Sequence, residues 1–299
     1  MPASPLTTST TSLARSHTLP LLAAALGAAS FTCMDSVIKL MSARFDALQL
    51  GFFRFAGGSV FAIALWLWQR SPLPQRAAWR LHAIRSVLLL CSLLGYFYAL
   101  TQLPLVQAMT ISYLSPIFVA VLAPAVLGER PGSAVWLALA AGLIGVLVSV
   151  LPALRASLAG AGSQHLLGMV SAAVAALSFA GVMLLARRQS GTDAIWTILL
   201  VQSVLPLLLL AVPALWRWQP IQIGDVALIL LAGGLGTLGL LCLTFAFTRL
   251  EASRVVPFEY TGLVWGTGLG YALFGELPTP TTLASAALIV GGCLLLLRR

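Results

Sequence analysis

Hydrophobic residues make up 60% of the 299 amino acids, charged residues only 8%, and the mean hydropathy is +0.99. A soluble domain carries roughly 25% charged residues, so this composition excludes a water-facing surface and most of the outside must face lipid. The net charge of +9 comes from scattered residues near the ends of apolar segments, which argues against a nucleic-acid partner.

Residues 1–18 are rich in Ser, Thr and Pro and are predicted to form a disordered cytoplasmic tail. A membrane-spanning helix needs about 20 mostly apolar residues. The apolar runs that follow are long and unbroken, which favours helices over a barrel of short alternating strands. Ten spanning helices are predicted, at about 19–41, 47–68, 83–101, 105–127, 133–152, 166–186, 194–216, 224–247, 253–274 and 280–297.

The basic residues in alternate connections predict the orientation in the membrane. With the N-terminus inside, twelve of them, including Arg85, fall on the inner side and four on the outer side, while Arg54 lies within the second helix. Cytoplasmic connections carry an excess of Lys and Arg. Both termini are therefore expected in the cytoplasm, as an even number of helices requires.

The chain contains an internal repeat with an offset of 147 residues. Residues 99–131 fall on 246–278 with nine of 33 identical, including Tyr113 on Tyr260 and a Gly-Glu-x-Pro sequence in each copy. Two five-helix units, 19–152 and 166–297, are predicted. Five is odd, so the units insert with opposite orientation, as alternating access requires. A purely structural duplication stays an alternative.

The repeat also decides how the first apolar segment is interpreted. On its own, the stretch after Arg15 could be a signal peptide. Ser30-Phe31 matches Ser178-Phe179 in the second half, however, so the first segment is predicted to be a retained helix.

The twin segments SYLSPIFVAVLAPAVLGERP and EYTGLVWGTGLGYALFGELP resemble the signature of the EamA-type drug/metabolite transporters (DMT superfamily). The opening FTCMDSVIKLMSARFDALQLGFFRFAGG is similar to the first two helices of that family, and the resemblance runs from about residue 19 onward. It implies ten helices in two inverted repeats around a central cavity. It also implies substrates such as amino acids, nucleotide sugars, S-adenosylmethionine, riboflavin or metallophores. One departure is Gly262-Leu263 in place of Ser115-Pro116.

Two charged residues in the first two helices are candidates for substrate binding, because ionisable groups in the hydrocarbon region normally face protein or a water-filled cavity. Asp35 shares a helix face with Thr32 and Lys39, which indicates either a polar stripe on a cavity or a self-neutralised Asp35–Lys39 pair. Arg54 either snorkels to the outer headgroups, pairs with Asp35, or attracts an anionic substrate group.

Glu259 is the candidate that the sequence favours most. It follows Pro257 and shares a predicted helix face with Gly262, Gly266 and Gly270, a spacing that permits close approach of helix backbones. A carboxyl group there could bind a substrate amine or carry a proton. The alternative is a structural hydrogen bond to a neighbouring helix.

Three tyrosines complete the predicted site, while two glutamates are left out of it. Tyr98 on the third helix and the repeat-equivalent Tyr113 and Tyr260 are predicted to line the cavity, although Tyr also anchors helices at membrane interfaces. Glu129 and Glu276 end their helices in the Gly-Glu-x-Pro sequences, and we interpret both as structural.

The sequence contains no motif for catalysis or metal binding. His17, His82 and His165 lie in the tail or in predicted connections, and the four cysteines lie in apolar segments without metal-ligand spacing. No zinc-protease, phosphate-loop or thiol-redox motif occurs. The protein is expected not to be an enzyme and to need no metal or cofactor.

The sequence therefore predicts a secondary transporter for a small polar or zwitterionic metabolite, such as an amino-acid-like compound, S-adenosylmethionine or a metallophore. A larger cofactor such as riboflavin is the alternative, followed by a non-transporting receptor or a lipid enzyme. The expected partners are the substrate and the lipid bilayer, with proton coupling and a monomeric or homodimeric state left open. The resemblance, together with arginine for all but one of the 17 basic residues, indicates the bacterial inner membrane.

Overall fold

The computed structural model describes residues 10–103, 108, 111–158, 163–216, 218–274 and 280–297. Every regular element within these ranges is helical, and they contain no strand. The prediction of an all-α protein is thereby confirmed. Glu276, one of the two predicted helix-ending glutamates, lies outside the described residues.

The helices follow the predicted apolar segments. In chain order they are α1 (Thr10–Met41), α2 (Ala47–Gln69), α3 (Arg76–Gln102), α4 (Ser115–Leu127), α5 (Ser133–Leu158), α6 (Ser163–Ser190), α7 (Ile195–Leu215), α8 (Ile223–Arg249), α9 (Ala252–Val255), α10 (Thr261–Phe274) and α11 (Pro280–Leu297). A 3₁₀ segment, Val256–Tyr260, joins α9 to α10.

The first helix begins before the first predicted span. It starts at Thr10, within the predicted tail, and residues 1–9 lie outside the described part of the chain. The segment 10–18 contains neither Gly nor Pro, the residues that most strongly oppose a helix. The apolar helix therefore continues backward through the Ser and Thr residues.

Within the described residues, six helices are long and apolar enough to cross a membrane, and three further apolar helices are shorter. The protein is therefore a multi-pass membrane protein. Ten crossings and the orientation stay predictions. In particular, α4 and α10 have 13 and 14 residues, too few to cross a hydrocarbon layer of about 30 Å by themselves.

The main helix contacts follow the 147-residue offset. Helix α1 packs on α8 and α3 packs on α6, and each of these pairs is the repeat equivalent of the other. The pairs α2 with α7 and α5 with α11 each join a helix to its own equivalent. This reciprocal pattern is what a two-fold relation between two similar units produces.

Two glycines bring α2 unusually close to α8. A Cβ atom on Gly57 would lie 2.3 Å from the carbonyl oxygen of Ile229, and one on Gly233 would lie 2.1 Å from the carbonyl carbon of Gly57. Backbone therefore contacts backbone at this crossing, which places α2 against the interior of the molecule.

The predicted glycine ladder on the ninth segment behaves differently. A Cβ atom on Gly262 would meet the Thr32 hydroxyl at 3.4 Å, and one on Gly266 would meet the Thr32 methyl at 3.6 Å. Both are ordinary contacts with one side chain of α1. At these two positions the expected close backbone approach is wrong, because the facing helix presents Thr32 rather than a small residue.

Candidate functional site

An internal cavity of about 330 Å³ lies between the two halves of the chain. Its wall is built from α1, α2, α3, α6, α7, α8, the turn before α4, α9, the 3₁₀ segment and α10. Along α1 it extends from Ala24 to Asp35, about 16 Å at 1.5 Å per residue. The polar wall residues with long or charged side chains are Asp35, Arg54, Arg85, Tyr113, Gln202 and Glu259.

Asp35 and Arg54 form one charged part of the wall. Asp35 projects from α1 and Arg54 from α2, and the two groups are close enough to interact electrostatically. The guanidinium carbon Cζ of Arg54 lies 5.2 Å from the ring centroid of Phe55. Arg54 thus faces the cavity and Asp35, which agrees with one of the arrangements considered for it.

Glu259 lies in the 3₁₀ segment and not in a regular α-helix. Pro257, which lacks a backbone N–H and suits the first turn of a helix, occupies the start of this segment. The Glu259 carboxylate lines the cavity, and the hydroxyl of Ser115, at the start of α4, donates a hydrogen bond to it. The contact joins the fourth segment to its repeat equivalent.

The repeat-equivalent tyrosines contact one another. The Tyr260 hydroxyl donates to the carbonyl oxygen of Tyr113 at 3.1 Å, and the two ring centroids are 5.8 Å apart. Residues separated by the repeat offset can meet in this way only near the axis that relates the two units. This contact between equivalent positions is what a two-fold relation between the halves would produce beside the cavity wall.

The two tyrosines nevertheless have different surroundings. Tyr113 lines the cavity, within electrostatic range of Asp35 and Glu259. Tyr260 is fully buried and is not part of the wall; its ring packs on α5, where a Cβ atom on Gly142 would lie 2.2 Å from it. Tyr260 therefore supports Tyr113 from behind.

Tyr98 lies apart from these residues. It is 45% exposed and does not contribute to the cavity wall. Of the six residues predicted from the sequence, the structure places Asp35, Arg54, Tyr113 and Glu259 in the wall.

Arg85 was missed as a wall residue. In the predicted arrangement Arg85 belongs to a connection, yet α3 begins at Arg76. Arg85 therefore lies inside α3, where it is 1% exposed and part of the cavity wall. Its Nη1 donates to Oε1 of Gln189 at 2.8 Å. The sequence feature that could have indicated its role is the four-residue spacing of Arg85 and Leu89. The two residues share a helix face, and both line the cavity.

His82 corrects the assignment of that residue to a connection. It also lies inside α3, is 2% exposed, and its Nε2 is 3.0 Å from Oδ2 of Asp193. His82 precedes Arg85 by three positions, so both side chains belong to the same face of α3.

Glu129 joins three helix ends. Its Oε1 accepts from Nε of Arg187 at 2.8 Å, and its Oε2 accepts from the backbone N–H of Ala252 at 2.8 Å. Arg187 also donates to the carbonyl oxygen of Phe247. Glu129 lies outside the cavity wall, and these contacts connect the end of α4, the end of α6 and the start of α9.

A cavity enclosed by membrane-crossing helices, with charges of both signs on its wall, is typical of proteins that move polar solutes across membranes. The comparison with known families agrees. The model of the EamA-like transporter family matches residues 18–151 and again residues 166–298. The chain belongs to this family, and the resemblance found in its sequence is confirmed.

Several curated bacterial transporters are similar to this chain. The pseudopaline exporter CntI of Pseudomonas aeruginosa is 30% identical over 279 residues, which cover 93% of this chain and 95% of the exporter. An S-adenosylmethionine uptake transporter of Rickettsia conorii is 24% identical, covering 89% and 87% of the two chains. A riboflavin transporter of Rhizobium johnstonii is 31% identical over 74% of this chain and 70% of that protein.

A solved crystal structure shares the fold. It superimposes with a TM-score of 0.74 over 94% of this chain and 96% of that chain, at 22% sequence identity. At this identity the likeness concerns the arrangement of the helices.

Proposed function

We propose that the protein is a secondary transporter that carries a small polar or zwitterionic metabolite across the bacterial inner membrane. Its ten crossings would form two inverted five-helix repeats, 19–152 and 166–297, with both termini in the cytoplasm. The cavity between the halves would open alternately to the two sides. The observation that carries the proposal is this cavity, with carboxylates and guanidinium groups on its wall.

The helix contacts support alternating access. A site on the axis between two similar units of opposite orientation can open to either side when one unit rocks against the other. The Tyr113–Tyr260 contact and the reciprocal packing of α1 with α8 and α3 with α6 support the presence of such an axis.

The distribution of charge supports a substrate role for the wall residues. At the 147-residue offset that fits residues 99–131, Glu259 corresponds to Ser112. At the 148-residue offset that fits Ser30-Phe31, Asp35 corresponds to Met183 and Arg54 to Gln202. A charge that the fold itself required would be expected in both units. Since each charge occurs in one unit, we assign Asp35 and Glu259 to an amine on the substrate, and Arg54 to an acidic group.

The named relatives support an organic metabolite as the cargo. Their names refer to pseudopaline, S-adenosylmethionine and riboflavin, and they include both export and uptake. A cavity with paired charges of both signs favours a zwitterion over riboflavin, which carries no amine and carboxylate of its own.

Transport into proteoliposomes tests the proposal. The panel holds amino acids, S-adenosylmethionine, riboflavin and aminopolycarboxylates, each offered with and without a proton gradient. We expect wild-type protein to move at least one zwitterionic member, and Glu259→Gln to reduce its rate at least about tenfold, because it loses a charged hydrogen bond. Glu251→Gln is the matched control, since Glu251 is exposed and lies outside the wall.

Two outcomes contradict the proposal. Absence of transport for every member of the panel, with or without the gradient, would remove the transport function. Transport of riboflavin alone would replace the zwitterion by the larger cofactor. Proton coupling is tested separately. If a proton gradient raises the transport rate of the wild type but not that of Glu259→Gln, Glu259 is assigned as the proton-carrying residue.

A further inference from the structure

Arg85 presents a buried positive charge to the cavity without a carboxylate partner among the described residues. The side chain is 1% exposed and lines the cavity. Its hydrogen bond goes to a neutral amide, that of Gln189, which is itself fully buried. In the described part of the chain, Nε of Arg85 and Nε2 of Gln189 have no hydrogen-bond acceptor. Both atoms are also closed to water and Gln189 lies outside the cavity wall, so what the cavity offers to an anion is the positive charge of Arg85.

The neighbouring acidic group is already engaged. Asp193 contacts His82 at 3.0 Å, one helical turn before Arg85 on the same face of α3. Burying a charge is costly unless it is paired, so the arrangement around Arg85 lacks the compensation that the fold gives Arg187 through Glu129.

The repeat argues that the fold does not need this charge. At the 147-residue offset Arg85 corresponds to Ala232, which is buried in the equivalent helix α8. The same packing position is therefore filled by a methyl group in the other unit.

Arg85 and the Asp35–Arg54 pair lie toward opposite ends of the cavity. Met34, next to Asp35, contacts α8 at Gly236, whereas Arg187, two residues before Gln189, contacts α8 at Phe247. These two levels of α8 are eleven residues apart, about 16 Å along the helix. A ligand that reaches both ends must be elongated.

We propose that Arg85, supported by Gln189, binds a carboxylate of the substrate at the end of the cavity remote from Asp35. The cargo is then an amine that carries at least two carboxylates, one of them several bonds away from the amine. This inference rests on the proposed function, since it names the substrate class of the same cavity.

Binding of a matched pair of compounds tests the proposal. The probes are 2-aminododecanedioate, an amine with a carboxylate at each end of a twelve-carbon chain, and its ω-carboxamide, which lacks only the remote charge. Binding to purified protein is read from the rise in melting temperature, because a ligand that binds the native state raises apparent stability. We expect the wild type to prefer the dicarboxylate at least about tenfold, as a charged hydrogen bond warrants.

Variants of α3 locate that preference. Arg85→Gln should bring the two affinities within about twofold, and Arg85→Lys should retain part of the difference. Arg80→Gln is the control, because Arg80 is exposed on the same helix and outside the cavity wall. An unchanged preference in Arg85→Gln would overturn the proposal, as would a wild type that binds neither probe or both equally.

The melting temperature without ligand distinguishes binding from a structural role. Arg85→Gln should melt within about 2 °C of the wild type or above it, because an unpaired buried charge is removed, while Arg187→Gln should melt lower. A loss for Arg85→Gln as large as that for Arg187→Gln would make Arg85 structural. Failure of the probes while other zwitterions are transported would refute this inference and leave the proposed function standing.

Discussion

The crossing of α2 and α8 at Gly57 gives the sharpest test of the architecture. In Gly57→Ala the new Cβ atom would lie 2.3 Å from the carbonyl oxygen of Ile229, whereas an ordinary contact is roughly 3.5 Å. The two backbones must therefore separate by about 1 Å. Forcing an extra carbon into a packed interior costs about 1–3 kcal/mol, more than the roughly 0.5–1 kcal/mol that alanine gains over glycine in a helix.

The adjacent Gly58 supplies a matched control for this substitution. A Cβ atom there would lie 3.5 Å from the Thr237 hydroxyl, an ordinary contact, so Gly58→Ala should keep or slightly raise the melting temperature. Thermal unfolding in detergent, followed by the retention of monodisperse protein, measures both variants. Equal melting temperatures for the two would refute the reasoning, since the new Cβ atom meets backbone at 2.3 Å in one variant and a side-chain hydroxyl at 3.5 Å in the other.

Three further substitutions test other contacts, each by thermal unfolding. Glu129→Gln should destabilise the protein by about 1–3 kcal/mol, because Arg187 loses a charged partner in a half-buried position; a loss equal to that of the exposed Glu251→Gln would contradict this. Tyr260→Phe should cost about 1 kcal/mol through the lost hydrogen bond to the Tyr113 carbonyl, and an unchanged melting temperature would mean that the bond contributes nothing. Gly128→Ala should cost about 1 kcal/mol, since Gly128 ends α4 at φ 73°, a conformation that alanine adopts with strain; a stabilised variant would rule that strain out.

The positions of the helices were predictable because one physical effect dominates them. Apolar runs must leave water, and in lipid their backbone must form internal hydrogen bonds, so each run becomes helical nearly to its end. The predicted 47–68 became Ala47–Gln69, and 280–297 became Pro280–Leu297. Boundaries inside an apolar run were not predictable in this way. The 3₁₀ segment around Glu259 lies within the predicted span 253–274, and the apolar character of that span does not by itself show where one helix ends and the next begins.

The site was only partly predictable, because its missing members depend on partners far along the chain. Arg85 near the start of an apolar segment fits a headgroup-facing residue equally well until Gln189, 104 residues later, is known to contact it. The same holds for His82 and Asp193. Tyr98 lies outside the cavity wall. The spacing of residues along α3 does not show which face of that helix meets the cavity.

The two units of the repeat share their main helix contacts but differ in their charged residues. Under the proposed alternating access, contacts that recur in both units, such as the packing of α1 on α8 and of α6 on α3, would set how the halves move against each other. Tyr113 and Tyr260 occupy equivalent positions, yet Tyr113 lines the cavity and Tyr260 is fully buried. The two units therefore differ even where their equivalent residues contact each other. The charged residues differ between the units as well, since Arg85 corresponds to Ala232 and Glu259 corresponds to Ser112 at the repeat offset. Substitutions at shared positions should therefore change stability or rate for every substrate alike. Substitutions of charged residues that occur in only one unit should change which substrate is bound. This contrast distinguishes residues needed for transport itself from residues that determine substrate specificity.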